Sequence, residues 1–132
     1  MIQPPHREVV LVLLVDDEPL ILASAQDALE EGGYAIAAVD NGSDAVAFID
    51  ARVGELSCLV TDIRLGAGPD GWTVAHHARE RKPDLPVVYM TGDSSHEWHS
   101  KGVPDSLILQ KPYASAQLVS AVSSLIVAAD SR

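Results

Sequence analysis

The chain has 132 residues, 47% hydrophobic and 21% charged, with 9 Lys or Arg against 19 Asp or Glu and a formal charge of −10. That length suits one domain spanning 1–132, with a core from about 9 to 129, and leaves no room within it for a separate catalytic or DNA-binding module. The acidity excludes binding of nucleic acid through a basic face, and the single cysteine, Cys58, excludes an intramolecular disulfide and fits a reducing, cytoplasmic setting.

In chain order, the unbroken aliphatic run 9–15 reads as a strand buried on both faces and is far too short to cross a membrane. Glu8 before it and three acids after it also make it a poor signal-peptide core. Pro19 suits the first turn of a helix, Ile21, Ala25, Ala28 and Leu29 supply its apolar stripe, and Gly32-Gly33 ends it. A second strand is expected over 34–39. Asn41-Gly42-Ser43 then forms a turn and cap, and Ala45, Val46, Phe48 and Ile49 give the second helix its apolar side.

A third strand is expected over 56–61, followed by a loop over 65–71 and a third helix from about 72 to 81, which stops before Pro83. The fourth strand is expected over 86–90, a short helix over 94–101 and the fifth strand over 106–110. A last helix over 114–129 turns Leu118, Val122, Leu125 and Ala129 inward. Five strand–helix units with apolar strands imply an α/β fold with an open, parallel sheet covered on both faces. The tails, 1–7 and 130–132, are polar and expected to fray. Together with Met1, their shortness sets the expectation of a complete protein.

The charge is unevenly spread. Residues 1–50 hold ten acids and one base, Arg7, whereas the remaining 82 residues hold nine acids and eight bases. Solvated helix faces account for most of this excess, but Asp16-Asp17-Glu18 sits where the first strand ends. The third strand ends at Asp62, the fourth at Thr91 and the fifth at Lys111. Ligands of open α/β sheets bind at the carboxyl ends of the strands, near the reversal of strand order. Solvent alone accounts for any one polar strand end, but poorly for this set. Carboxylates sharing one pocket at ~4 Å repel by roughly 4 kcal/mol per pair at an effective dielectric of about 20, so the site must protonate, spread apart or bind a cation. An all-oxygen set suits Mg²⁺, beside which an Asp can attack phosphorus to form an acyl phosphate. Thr91, Gly92 and Lys111 offer a hydroxyl, a main-chain N–H and an ammonium to the phosphoryl oxygens.

These residues, 45, 29 and 20 positions apart from Asp17 through Asp62 and Thr91 to Lys111, resemble the receiver domain of bacterial two-component response regulators over about 9–129. The resemblance implies a flavodoxin-like, doubly wound (βα)5 fold with strand order 2-1-3-4-5. It implies that Asp62 is the phosphoacceptor, charged by a histidine kinase or a phosphotransfer protein. Asp17 would ligate Mg²⁺ directly and Asp16 through water, with Asp62 and the backbone carbonyl of Arg64 completing the set. Lys111 would pair with the phosphoryl group, Thr91 would turn inward to it, and the Lys111-Pro112 bond would be cis. Such a protein is not an enzyme in the ordinary sense, since it catalyses only its own phosphorylation and dephosphorylation. The resemblance also places Arg64 and Asp93 at positions that influence hydrolysis.

One departure stands out. The family usually carries Tyr or Phe three residues before the Lys, where this chain has Ile108; Tyr113, two residues after it, is not a substitute. A degenerate receiver acting as an unphosphorylated interaction module is therefore the alternative. A phosphatase of the haloacid dehalogenase type is disfavoured, because it needs Asp-x-Asp in the first motif and an acidic motif after the Lys, where only Asp130 follows.

Other features have plainer readings. His96 and His99 share a helical spacing but lack a third ligand, and adjacent His76 and His77 suit the surface. Trp98 is expected to pack the short helix and Cys58 to be a small buried apolar residue. The last helix has no charged residue from 114 to 129. Its outward positions are expected to include Ala116, Val119, Ser120, Ser123 and Val127. The resemblance makes the helix four–strand five–helix five surface the output face, where Val119 and Ile126 are expected to meet a downstream protein or form a homodimer.

Overall fold

The computed structural model describes residues 9–130, so the expected fraying of 1–7 lies outside the described residues, as does all of the other tail except Asp130. Five strands, β1 (Leu11–Val15), β2 (Ala35–Val39), β3 (Leu56–Asp62), β4 (Val87–Thr91) and β5 (Leu107–Gln110), alternate with five helices. These are α1 (Pro19–Glu31), α2 (Gly42–Arg52), α3 (Gly71–Arg81), α4 (Trp98–Lys101) and α5 (Ser115–Asp130). The sheet is parallel throughout, in the order β2-β1-β3-β4-β5. The expected first strand loses Val9 and Val10, which precede the pairing with β2 and β3. The expected short helix divides into a 3₁₀ turn, Ser95–Glu97, and the single turn of α4.

Alternation within β1 sends side chains to two cores. Leu13 and Val15 join Ala45 and Ile49 of α2 and Trp72, Val74, Ala75 and Ala78 of α3 on one face. Val12 and Leu14 join Ala25 and Leu29 of α1 and Leu118, Ala121 and Val122 of α5 on the other. Cys58 lies in this second core, where burial pushes its thiol up to about 12 and leaves it unreactive. Trp98 packs as expected and donates its indole N–H to Ser106 Oγ at 2.9 Å.

The expected outward face of α5 requires correction. Val119 and Ile126 are half-buried and packed against the α1–α5 core, and Ser123 Oγ lies 2.6 Å from the Tyr34 hydroxyl. Val119 Cγ1 would lie 3.1 Å from a β-carbon placed on Gly32, which shows how closely α5 approaches the end of α1. The missing charges on that side of α5 thus reflect a second packing contact. Ala116, Ser120 and Val127 are exposed as expected.

Local chemistry fixes where the helices begin. Asn41 accepts the Asp44 amide at 2.7 Å and Asp70 accepts the Thr73 amide at 2.9 Å, capping α2 and α3. Gly71 donates its N–H to the Ile63 carbonyl at 2.7 Å. A β-carbon on Gly71 would lie 2.2 Å from the Asp62 carbonyl oxygen and 2.8 Å from Ile63 Cα. The first turn of α3 therefore presses directly on the backbone that carries Asp62. Gly71→Ala is expected to destabilise the protein by about 1–3 kcal/mol, because backbone must move to admit the methyl group; urea unfolding measures this, and an unchanged midpoint would contradict the contact.

Candidate functional site

Strand order reverses between β1 and β3, which both lie at the middle of the sheet, and the pairing of Val15 with Thr61 brings the next residues, Asp16 and Asp62, side by side. Asp16 is fully buried and its Oδ1 accepts the Glu18 N–H at 2.9 Å, which turns the chain into α1 at Pro19. Asp17 and Glu18 are exposed at the rim. Asp62 is 5% exposed, and its Oδ1 accepts the Ile63 N–H at 2.8 Å. Lys111 follows β5, and its N–H donates to the Thr91 carbonyl at 2.7 Å, so β4 and β5 deliver it beside Thr91. The Lys111-Pro112 bond is cis, as expected.

The Lys111 ammonium lies within 3.0 Å of Asp16 Oδ2, 3.2 Å of Glu18 Oε1 and 3.3 Å of Asp62 Oδ2. Burial opposes the charge on Lys111, but the bond to Asp16 and the charges of Asp62 and Asp16 outweigh it and raise its pKa, so it remains an ammonium. Carboxylate oxygens of Asp16, Asp17, Glu18 and Asp62 all come within 4.8 Å of one another. With one ammonium against four carboxylates, this group retains a deficit of positive charge. Its hard oxygen donors, two of them on the exposed rim, fit a small divalent cation that keeps part of its water shell.

Thr91 is buried at the end of β4. Its Oγ1 accepts the Asp93 N–H at 3.2 Å and the Ser94 N–H at 2.7 Å. The Arg64 side chain crosses the cleft to Asp93, with Nε 3.0 Å from Oδ1. The cleft itself has a volume of about 390 Å³ and is lined by Asp17, Glu18, Asp62, Arg64, Thr91, Gly92, Asp93 and Lys111. Asp16, Asp17, Asp62, Arg64, Thr91 and Lys111, the residues expected at the site from the sequence, thus converge on one end of the sheet.

Two participants were not legible as such. Glu18 reads as one of three adjacent acids, but its contact with Lys111 depends on how β1 turns into α1. Ser94 carries no motif, yet its Oγ donates to Asp93 Oδ1 at 3.0 Å. Elsewhere, His76 Nε2 lies 2.8 Å from the Lys101 carbonyl and His77 Nε2 lies 2.7 Å from Asp50 Oδ1, so both histidines tie helices together at the surface. Among the described residues, the acidic cluster is the group of potential ligands that comes together, and neither His96 nor His99 belongs to it. Ile108 is half-buried and pairs with Tyr89 of β4. The Tyr89 ring is fully buried 4.7 Å from Trp72, and its hydroxyl accepts the Val103 N–H at 3.1 Å.

A sheet ordered 2-1-3-4-5, with acids ending its first and third strands and a lysine after the fifth, defines the receiver class of fold. Residues 12–123 match the family model of the response regulator receiver domain, and the chain belongs to that family. It is 30% identical over 120 residues to the response regulator receiver protein CpdR of Brucella abortus (strain 2308), covering 89% of this chain and 98% of that protein. It is 26% identical over 117 residues to the sensor kinase CckA of the same organism, covering 87% of this chain but 12% of the kinase. The solved structure of a response regulator receiver protein from Sinorhizobium medicae WSM419 matches with a TM-score of 0.89 at 44% identity, covering 92% of this chain and 98% of that one. The receiver domain of the sensor histidine kinase PA1611 from Pseudomonas aeruginosa PAO1 shares the fold at 22% identity, with a TM-score of 0.78 and coverage of 90% and 98%. In that structure a magnesium ion is coordinated in the active site cleft.

Burial of Asp62, reinforced by the charge of Asp16, raises its pKa to about 6 against the pull of Lys111 and the Ile63 amide. Folding therefore favours the protonated carboxyl. The associated stability is present in full below the unfolded pKa of about 4 and is lost as pH rises through about 6. In metal-free protein, Asp62→Asn is expected to leave the difference from the unaltered chain near zero at about pH 4 and to stabilise by about 1–3 kcal/mol at about pH 7. Thermal unfolding at both pH values measures this; equal stability at neutral pH would contradict it.

Proposed function

We propose that this receiver domain accepts a phosphoryl group on Asp62 from a phosphohistidine of a histidine kinase or phosphotransfer protein, and that the acyl phosphate alters a surface read by another protein. The observation that carries this reading is the contact of Lys111 with both Asp62 and Asp16 inside a cluster of four carboxylates. In the transfer, an Asp62 carboxylate oxygen forms the P–O bond as the P–N bond to the imidazole breaks, and the imidazole nitrogen takes a proton from solvent. The main-chain N–H of Ile63 orients the acceptor carboxylate through Oδ1. Lys111 supplies a fixed positive charge beside Oδ2, where phosphoryl charge must be met. The Thr91 hydroxyl, which accepts two amides in the resting chain, has its own proton available for a phosphoryl oxygen.

Asp16, Asp17, Asp62 and the backbone carbonyl of Arg64 would hold Mg²⁺, in keeping with the donor set and with the ion in the cleft of the receiver from Pseudomonas aeruginosa. When bound, the cation supplies charge neutralisation for the phosphoryl oxygens and the acidic cluster. The chemistry is confined to the protein's own phosphorylation and dephosphorylation. Among the described residues no helix is long and apolar enough to cross a membrane, which fits a cytoplasmic place of action. The output surface is read as the α4–β5–α5 face, by contact with a downstream protein or a second copy. The exposed Gln117, Ser120, Ser124, Val127 and Ala128 of α5 carry no charge that would have to be desolvated there.

Incubation with Mg²⁺ and a small phosphodonor should yield one acid-stable, base-labile phosphoryl group per chain, and Asp62→Asn should lower its yield by about tenfold or more. Undiminished labelling in the variant would remove Asp62 from the role. A chain that takes no label at all would instead fit the unphosphorylated interaction module.

A further inference from the structure

The loop after β4 is held by a continuous run of polar contacts that begins at the mouth of the cleft. Arg64 Nε donates to Asp93 Oδ1 at 3.0 Å, and Ser94 Oγ donates to the same oxygen at 3.0 Å. Both amides at 93 and 94 end on Thr91 Oγ1. The two ends of this run differ in character. Ser94 and Thr91 are buried, 2% and 1% exposed, whereas the Arg64 and Asp93 side chains are 72% and 59% exposed. An ion pair so open to water is weak and screened by salt.

Arg64 also lies two residues after Asp62 and lines the same cleft. A phosphoryl group on Asp62 would bring roughly two negative charges and three acceptor oxygens into that cleft. The guanidinium fork matches phosphate better than it matches one carboxylate oxygen, and the same charge repels Asp93. The aromatic ring on this face is meanwhile unable to move freely: Tyr89 is packed on Trp72 and tied to Val103, and its neighbour across the sheet is Ile108.

From this geometry we infer that Arg64 changes partners when Asp62 is phosphorylated. It leaves Asp93 for the phosphoryl group, and the released Asp93–Ser94 segment carries the signal into the loop ahead of α4. The inference rests on Asp62 being the acceptor and adds how occupancy of that site is sensed. Arg64 is a positioning residue for the loop, acting through Asp93 and Ser94.

Nuclear magnetic resonance with Mg²⁺ and beryllofluoride as the phosphoryl mimic tests this, with fluorine spectra reporting bound mimic independently. In the unaltered chain, the Arg64 Nε–H resonance and the Asp93 and Ser94 amides should all move when the mimic binds. In Arg64→Ala at saturating mimic, the displacement of the two amides should fall to roughly half or less, because the share that comes through Asp93 is gone and only that through Thr91 Oγ1 remains. Bound mimic with a stationary Arg64 Nε–H would overturn the exchange without touching the acceptor reading, and it needs no variant. Amide displacements in Arg64→Ala as large as in the unaltered chain would overturn it equally. Absence of bound mimic from the unaltered chain would overturn the acceptor reading, and this inference with it.

Discussion

The Lys111 ammonium, set among the carboxylates of Asp16, Glu18 and Asp62, is the contact on which the rest of this site depends. Four acids in so small a volume repel one another, and Lys111 is the cation of the chain that bonds to three of them. It reaches them because the Lys111 amide, just beyond β5, donates to the Thr91 carbonyl, which leaves β4 alone between the base of the side chain and the strand that ends at Asp62. The remaining deficit suits the cleft to a divalent ion. Burial, reinforced by the charge of Asp16, pushes the Asp62 carboxyl up to about 6 even with Lys111 beside it.

Two apolar layers hold those strand ends in register. Alternating residues of β1 enter separate cores, so a shift of one residue would exchange Leu13 and Val15 with Val12 and Leu14 and misplace Asp16 with them. Gly71 adds a tighter constraint, since the first turn of α3 rests on the backbone of Asp62 and Ile63 with no space for a methyl group. Asp62 is thus held by a strand behind it, a helix terminus beside it and an amide on its own carboxylate. The loop after β4 is held more weakly, by an exposed ion pair at one end. That contrast between a firmly held Asp62 and a loosely latched loop is what the proposed switch would use.

Much of this was legible in the chain itself. The aliphatic runs, the proline at the start of α1 and the caps Asn41 and Asp70 follow from local chemistry that acts within a few residues. The sequence misleads where a boundary depends on a neighbour. Val9 and Val10 are as apolar as the strand they precede, yet ladder pairing begins at Leu11. Val119 and Ile126 look outward on a helix considered alone, yet both are half-buried against the core shared by α1, α5 and the sheet, Val119 close to the end of α1. An uncharged helix surface does not distinguish contact with another protein from contact with another helix of the same one.

The class of fold and the residue types gathered at the strand ends are legible in the chain, because periodicity and motif spacing are properties of the sequence, and the resemblance of those motifs to receivers points to the family. Only the tertiary structure decided which partners those residues take. Lys111 meets Asp16 across 95 positions, Arg64 meets Asp93 across 29, and Glu18 turns toward Lys111 rather than away. Such pairings arise from the reversal of strand order and the packing of helices over it, which bring distant charges together at distances no local pattern encodes.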